Sequence, residues 1–174
     1  MKWMLKIALV LLTSMAMLTV SCSDDSNGGD DGTDPGNTDA PIVGTWKSAG
    51  TDVAPLLLGL GFVEIDAVFR NDQTYTVTAT DTAAAQVVFT GTYTATASGV
   101  GNIMDITLNQ NSPTAITSVG IYEIDTAADP DRMTYEVVQT EPTLGVAPPT
   151  AAAGFGSTGG GVFLMTNVQY FVRQ

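Results

Sequence analysis

Short runs of alternating hydrophobic and polar residues fill most of the chain after residue 41. The runs 62–70 and 74–81 show the pattern most clearly, because nearly every second position is hydrophobic. A period of two is typical of β-strands, whose successive side chains point to opposite faces of the sheet. No segment of this region has a long helical period. We therefore predict eight strands, at 42–47, 62–70, 74–81, 87–96, 103–110, 117–125, 132–140 and 162–173.

Clusters of glycine, proline, asparagine and aspartate separate these strands, mostly over short distances. Short turns between consecutive strands are typical of an up-and-down antiparallel meander. Closing the meander into a barrel removes its two exposed edges, so the sequence predicts an all-β, eight-stranded, up-and-down antiparallel barrel. A two-sheet sandwich stays open as the alternative, because periodicity alone does not separate the two folds.

The first 21 residues have the organisation of an export signal. A positively charged start precedes the apolar run 7–20, which is short for a membrane span. The run leads into Leu-Thr-Val-Ser-Cys at 18–22, which resembles the lipobox of bacterial lipoproteins, although Thr19 replaces the usual leucine. Cys22 is the only cysteine of the chain and lies where that signal requires it. We therefore expect a lipoprotein signal peptide over 1–21 rather than a retained signal anchor.

The lipobox resemblance implies that Cys22 carries acyl chains, palmitate among them. Two or three such chains hold a protein stably on a bilayer, so the membrane is an expected partner. Ser23 after the cysteine is similar to the Gram-negative signal for sorting to the outer membrane, and the acidic run 23–26 resembles a surface-export signal. We expect an outer-membrane lipoprotein, with display at the cell surface favoured over a periplasmic location.

The composition changes sharply at residue 41. The stretch 23–40 holds six aspartates, several glycines and no large hydrophobic residue, so 22–40 is predicted to be a lipidated cysteine with a disordered tether. Its Asp-Gly texture lacks the register of an EF-hand calcium loop. Residues 41–174 are long enough for one domain with its own core.

The composition also excludes several chemistries. The chain has no histidine, which removes imidazole catalysis, histidine-ligated zinc and the Ser-His-Asp and Cys-His arrangements. Its formal net charge is −12, and it has only six Lys and Arg residues for contacts with phosphate. We therefore expect no enzyme activity, no metal or cofactor, and no nucleic-acid partner.

The first predicted strand contains Gly44-Thr45-Trp46, which resembles the Gly-x-Trp signature of lipocalins and of lipocalin-like domains in bacterial surface lipoproteins. The resemblance extends loosely to the hairpin 69–75. It implies that Trp46 closes the bottom of the barrel and that Arg173 packs across its ring as a cation–π contact. Gly44, Trp46 and Arg173 are thus expected to close the barrel rather than to bind a ligand. The simpler alternatives are a core aromatic residue and a frayed chain terminus.

Between the first two predicted strands lies the most apolar stretch after the tether, residues 52–62. Pro55 can begin a short helix that Gly59 or Gly61 ends. In lipocalin-like barrels this connection lies over the open mouth, which implies a lid or a plug here. A portal for an apolar ligand and a permanent hydrophobic cap are both open, and the cap is favoured because the mouth must be covered in either case. The candidate lid residues are Leu56, Leu57, Leu58, Leu60 and Phe62.

The connection 141–161 is long and rich in alanine, proline and glycine. Loops of this length are binding segments, ordered covers or mobile chain. The Gly-x-Gly-x-x-Gly spelling at 154–159 is a chance match, because a dinucleotide fingerprint follows a strand and opens a helix. Phe155, which lies between two glycines, is a candidate to insert into a partner or to fold over the barrel mouth.

Two kinds of polar residue remain as candidates on the strands. Glu64 with Asp66, and Glu123 with Asp125, each share one strand face, as in a two-carboxylate glycosidase site. A solvated surface row is the ordinary interpretation of such pairs. Inward-facing tyrosines can line a cavity and orient a ligand through their hydroxyls. The tyrosine candidates are Tyr75, Tyr93, Tyr122 and Tyr135.

The sequence therefore favours a lipid-anchored, extracytoplasmic, lipocalin-like barrel that binds a small hydrophobic or amphipathic ligand without catalysis. This functional step follows from likeness of fold. The alternative is a filled barrel that serves as a structural or interaction module of the cell envelope, with 141–161 as its contact surface. An interior cavity favours the first, a packed interior with an exposed apolar patch favours the second, and inward-facing paired acids favour an enzyme.

Overall fold

Residues 41–174 are the part of the chain that the computed structural model describes, and they form one closed antiparallel barrel. The predicted signal peptide (1–21) and the lipidated cysteine with its tether (22–40) lie outside the described residues. Each strand pairs with the next one along the chain. The strands are β1 (Gly44–Ala49), β2 (Phe62–Phe69), β3 (Thr74–Asp81), β4 (Gln86–Val100), β5 (Ile103–Ser112), β6 (Ile116–Asp125), β7 (Arg132–Glu141) and β8 (Gln169–Arg173).

A short ladder between the first and last strands closes the barrel. In this ladder Trp46 of β1 lies opposite Arg173 of β8, and Lys47 lies opposite Val172. Because β1 and β8 pair, each of the eight strands has a hydrogen-bonded neighbour on both sides. The predicted up-and-down barrel is confirmed, and the two-sheet sandwich is excluded.

The last predicted strand is wrong over its first half. The sequence pattern placed it at 162–173, whereas β8 contains only Gln169–Arg173. Gly159 and Gly160 have φ angles of +64° and +71°, which turn the chain out of an extended path just before this segment. The chain then forms a 3₁₀ helix at Leu164–Asn167. The other seven predicted strands are confirmed to within two residues, apart from a longer C-terminal end of β4.

Alternation along the strands sends one face of each strand into the barrel. Side chains from all eight strands, together with two flanking residues, pack there into a single hydrophobic cluster. Eight strands enclose about the space that inward side chains of this kind occupy. The buried members are Ile42, Trp46, Val53, Ile65, Ala67, Phe69, Tyr75, Ala79, Tyr93, Ile106, Leu108, Tyr122, Met133 and Phe171.

The two ends of the barrel differ, because the topology places both long connections at the same end. The base is the end where 41–43 lead into β1 and where the turns after β2, β4 and β6 lie. The cap end, opposite the base, holds the β1–β2 connection (50–61) and the β7–β8 connection (142–168). Helix α1 (Pro55–Gly59) in the first connection contacts the 3₁₀ helix Leu164–Asn167 in the second.

The β7–β8 connection also covers part of the outer wall. Ile121 of β6 and Glu136 of β7 lie opposite each other in the ladder and point away from the interior, because their neighbours Tyr122 and Tyr135 point inward. Both Ile121 and Glu136 are nevertheless fully buried. The connection therefore packs over this part of the wall as an ordered cover.

Candidate functional site

Four of the chain's five tyrosines point into the barrel, each from a different strand. Two of them pack on Phe69, whose ring centroid lies 5.1 Å from that of Tyr93 and 6.2 Å from that of Tyr75. The ring of Tyr135 meets that of Phe171 edge-on at 5.8 Å. These four are the candidates that the sequence singled out: Tyr75, Tyr93, Tyr122 and Tyr135. Their rings form much of the aromatic lining of the interior.

The Tyr122 hydroxyl is the one buried side-chain polar atom without a hydrogen-bond partner in residues 41–174. Tyr122 is fully buried and lies opposite Met104 of β5 and Tyr135 of β7. The hydroxyl of Tyr93, by contrast, donates a hydrogen bond of 2.9 Å to the carbonyl of Arg70. Leaving a buried hydroxyl unpaired costs about 1–3 kcal/mol. Among residues 41–174, the interior thus contains one fully buried hydrogen-bonding atom that no other residue pairs with.

Burial makes the interior phenols hard to ionise. It raises the pKa of Tyr75 and the pKa of Tyr122 to about 12, and Tyr93 adds to the shift at Tyr122. Burial likewise raises the pKa of Tyr93 and of Tyr135, with smaller contributions from Asp72 and Tyr75 respectively. The four phenols therefore stay protonated even at pH values where an exposed tyrosine ionises, and they carry O–H groups rather than phenolate charges.

The predicted short helix is confirmed as α1, with Pro55 in its first turn and its last residue at Gly59. Among the five candidate lid residues, Leu57 and Phe62 pack against the interior cluster. The others point outward, with exposed fractions of 40% for Leu56, 40% for Leu58 and 52% for Leu60. The cap therefore meets the interior with two of these side chains and turns three leucines away from it.

Buried hydrogen bonds hold the start of the cap. The Gln169 side chain accepts a hydrogen bond of 2.8 Å from the amide of Ala54 and donates one of 2.6 Å to the hydroxyl of Ser48. All three residues are buried. Because Ala54 immediately precedes α1, these bonds fix the point from which the helix leaves the barrel.

At the base, the guanidinium of Arg173 lies 4.2 Å from the centre of the Trp46 ring. It also donates hydrogen bonds to two backbone carbonyls near the start of β1 and pairs with Asp131 at 2.9 Å. A side chain at Gly44 would place its Cβ 2.5 Å from an Arg173 nitrogen, so glycine leaves room for the guanidinium. The Arg173–Trp46 contact is the one that the lipocalin resemblance implies, and a frayed terminus is excluded.

Neither pair of carboxylates points into the barrel. Glu64 and Asp66 lie on the outer face of β2, where Lys47 contacts them at 2.8 and 3.5 Å. Glu123 and Asp125 alternate with inward-facing residues of β6 and lie outside as well. The two pairs are solvated rows on the wall, and the interior two-carboxylate site is not formed.

Glu136 ties the β7–β8 connection to the outer wall. Its carboxylate accepts hydrogen bonds from the amide of Gly156 (2.7 Å), the amide of Thr158 (3.1 Å) and the hydroxyl of Thr158 (2.6 Å). Phe155 precedes Gly156 and therefore lies beside the outer wall. Of its two predicted roles, folding over the barrel mouth is wrong, and insertion into a partner stays a prediction. Sequence reasoning missed Glu136, because a single acid at an outward strand position has no distinctive pattern.

A groove with a volume of about 400 Å³ lies between the outer face of β4–β6 and the stretch 148–152. Its polar lining residues include Thr94, Thr96, Thr107 and Asp105. The groove is separated from the tyrosine-lined interior by the barrel wall. No sequence signal pointed to it, because it exists only where the connection folds back over the strands.

No family model matches this chain, and neither a curated protein nor a solved structure matches it at a significant level. Within residues 41–174, no group of three or more acidic side chains is arranged to hold a metal ion. The helices in the same range include none with the length and hydrophobicity needed to cross a membrane. The interior and its cap are the candidate site that the sequence singled out, and the interior side chains pack against one another in one cluster.

Proposed function

We propose that this protein is a lipid-anchored, extracytoplasmic, lipocalin-like barrel that binds one small hydrophobic or amphipathic molecule and does not transform it. The observation that carries the proposal is the Tyr122 hydroxyl, which is fully buried and has no partner in the described residues. Buried polar groups in native proteins are hydrogen-bonded with few exceptions. A polar atom of a bound molecule supplies the missing partner.

The lining of the interior indicates the chemistry of the ligand. The buried members of the cluster are aliphatic, aromatic or sulfur-containing, and none of them is charged. A charged ligand group would lose its hydration there without gaining a counter-ion. The proposed ligand is therefore mostly hydrophobic, is uncharged inside the barrel, and carries an oxygen that accepts a hydrogen bond from Tyr122.

The proposed route to the interior is through the cap end. Leu57 and Phe62 are the candidate lid residues that contact the cluster, and the hydrogen bonds of Gln169 hold the chain at Ala54. Opening therefore requires movement of 55–61 and not of the whole connection. Interior side chains must also rearrange, because they pack against one another in a single cluster.

The anchor and location rest on the sequence around Cys22. Replacing Cys22 by serine in the natural host is expected to abolish incorporation of labelled palmitate and to release the protein from the membrane fraction. Loss of the full-length protein when intact cells are treated with protease supports display at the surface. Retention in the membrane after the substitution contradicts the anchor.

The ligand is tested by thermal unfolding of the mature chain with a panel of uncharged lipids, long-chain alcohols and ketones. A ligand at a concentration of 100 Kd stabilises the folded state by about 2.7 kcal/mol, which raises the midpoint measurably. Tyr122→Phe is expected to weaken binding by about tenfold, because it removes one hydrogen bond. Failure of every compound to stabilise the protein, or equal binding by Tyr122→Phe, contradicts the proposal.

A second candidate function, an interaction module with a filled barrel, is favoured by the packing of the interior. Side chains of all eight strands contact one another in one cluster, and hydrophobic residues are exposed at the cap end. Under this alternative, no compound stabilises the protein, and a protein of the envelope co-purifies with it in fixed proportion.

A further inference from the structure

Seven of the ten large hydrophobic side chains that are exposed in residues 41–174 come from three short stretches at the cap end, 56–60, Val63 and 162–165. They come from the β1–β2 connection, the start of β2 and the β7–β8 connection, and the contact between α1 and the 3₁₀ helix Leu164–Asn167 joins the two sides. We call this set the cap-end patch. Its members are Leu56, Leu58, Leu60, Val63, Val162, Leu164 and Met165.

The most exposed members of the patch have most of their surface in contact with solvent. Val162 is 80% exposed and Leu164 is 68% exposed. Single exposed hydrophobic residues are ordinary, but a contiguous group is typical of a surface that meets an apolar partner. None of these side chains belongs to the core cluster, so they do not contribute to packing inside the barrel.

The two stretches of chain that carry the patch contain no charged residue. The stretches 53–63 and 142–172 contain no Asp, Glu, Lys or Arg, although four basic and twelve acidic residues give the domain a net charge of −8. Arg70 and Arg173 lie at the base, and Arg132 pairs with Asp52 of the β1–β2 connection at 3.0 Å. The patch itself can therefore leave water without desolvating an ion. The acids at its border, Asp52, Asp81 and Glu141, disfavour an anionic surface instead.

The composition of the patch favours lipid over protein as the partner. All seven members are Leu, Val or Met, whereas the residues that dominate the binding energy of protein interfaces are Trp, Tyr and Arg. Acyl chains accept aliphatic side chains without requiring directed contacts, and burial of apolar area sets the strength of such binding.

We infer that the cap-end patch docks the barrel, mouth first, onto the surface of an uncharged lipid bilayer. The inference rests on the lipid anchor of the proposed function but not on its ligand. An anchored domain meets the bilayer at a high effective concentration, so a small apolar surface is sufficient for docking. In the docked state, the barrel mouth opens toward the acyl chains instead of toward water.

The length of chain before the barrel permits this orientation, although the chain enters at the base. Residues 22–40 can span up to about 60 Å when extended. A strand of ten residues such as β6 (Ile116–Asp125) is about 33 Å long, and strands of a barrel are tilted, so the barrel is shorter than this. An anchor at Cys22 therefore leaves either end of the barrel free to face the membrane.

The inference is tested by sedimentation of the mature chain, carrying Cys22→Ser to remove the anchor, with phosphatidylcholine vesicles. We expect measurable binding that does not weaken in high salt and does not strengthen when phosphatidylglycerol is added, because the patch is uncharged. The double variant Leu58→Asp with Leu164→Asp is expected to lose binding by about tenfold or more. Val100→Asp is the matched control, because Val100 is also 40% exposed but lies at the base.

A fluorescent label provides a second readout that does not depend on the stability of the charged variants. With Cys22→Ser as background, an environment-sensitive dye is attached after Met165→Cys or after Val100→Cys. Vesicles are expected to shift the emission to the blue at position 165 and to leave it unchanged at position 100. Equal shifts at both positions, or no shift at position 165, overturn the inference.

The test also separates docking from ligand binding. Tyr122→Phe is expected to bind vesicles normally, because Tyr122 is inside the barrel. If Tyr122→Phe loses vesicle binding while the double aspartate variant keeps it, the vesicles supply an interior ligand and docking through the patch is wrong. Self-association that the double aspartate variant abolishes, without vesicle binding, identifies the patch as a contact between two copies and also overturns docking.

Discussion

Tyr122 and Tyr93 are two buried phenols that differ in one hydrogen bond. The Tyr93 hydroxyl donates to the carbonyl of Arg70, whereas the Tyr122 hydroxyl has no partner in the described chain. In each case, replacement by phenylalanine removes one oxygen and leaves a ring of nearly the same shape. The difference between the two replacements therefore isolates the hydrogen bond.

We expect Tyr93→Phe to lower the free energy of unfolding by about 1 kcal/mol, because it removes a satisfied bond. Tyr122→Phe is expected to be neutral or stabilising without ligand, because it removes an unpaired buried hydroxyl. Urea unfolding of both variants measures the difference. A Tyr122→Phe variant that is destabilised as much as Tyr93→Phe, in protein freed of bound molecules, shows that this hydroxyl already has a partner.

The buried phenols also predict how stability depends on pH. The folded-state pKa is about 12 for Tyr75 and for Tyr122, whereas an unfolded tyrosine ionises near pH 10. Between these values the unfolded chain releases protons that the folded barrel retains, so the free energy of unfolding falls as pH rises from about 10 to 12. Urea midpoints across this range, followed with tyrosinate absorbance, measure the effect. Ionisation of all tyrosines near pH 10 in a barrel that stays folded contradicts the account.

At the scale of single residues, the sequence shows the barrel-closing motif but does not show that a buried hydroxyl lacks a hydrogen-bond partner. Gly44, Trp46 and Arg173 have distinctive types and positions, and the structure brings the three together at the base. The inward orientation of Tyr122 follows from alternation once its strand is placed. Its lack of a hydrogen-bond partner does not, because that depends on every neighbouring atom in the barrel.

The β7–β8 connection shows how one side chain can hold an element in place. Glu136 is fully buried and accepts hydrogen bonds from Gly156 and Thr158 on the connection. Asn167 adds a hydrogen bond of 2.9 Å to the carbonyl of Val137. The connection is therefore fixed to the wall at two places, although it has no strand partner over 142–168.

Glu136→Gln is expected to lower the free energy of unfolding by about 2 kcal/mol, because one amide oxygen replaces a carboxylate that accepts three hydrogen bonds. We also expect faster cleavage by chymotrypsin within the connection, where Phe155 and Phe163 provide sites. Glu123→Gln is the control, because Glu123 is a partly exposed acid on the neighbouring strand. Equal cleavage rates in the two variants would show that Glu136 does not hold the connection.

At the scale of elements, the sequence predicted the strands and the helix whose residues show a local pattern. Seven strands follow from alternation, and α1 follows from Pro55 and the leucines after it. The path of 142–168 could not be predicted. This stretch packs on the outer wall as irregular chain, and its small and apolar residues show neither a strand period nor a helix period. The sequence pattern also gave no sign that the strand predicted from Val162 begins too early. Gly159, Gly160 and Gly161, which have positive φ angles, turn the chain directly before it.

At the scale of the whole molecule, closure gives the barrel two different ends. Up-and-down topology places the β1–β2 and β7–β8 connections together at the cap end, and Arg173 on Trp46 closes the base. Alternation predicted strands but not closure, which depends on the pairing of β1 with β8 across nearly the whole described chain. The topology also brings the exposed hydrophobic residues of the two connections together at the cap end.

The central claim is that the barrel holds a small hydrophobic or amphipathic molecule inside. Native mass spectrometry of the mature protein, purified gently from its host, tests this claim most directly when it is followed by organic extraction. We predict one bound small molecule per chain, carrying an oxygen that accepts a hydrogen bond, and a reduced bound fraction for Tyr122→Phe. Two results together contradict the claim. One is a chain mass without any added molecule. The other is that no lipid tested changes the unfolding midpoint of either the natural protein or Tyr122→Phe.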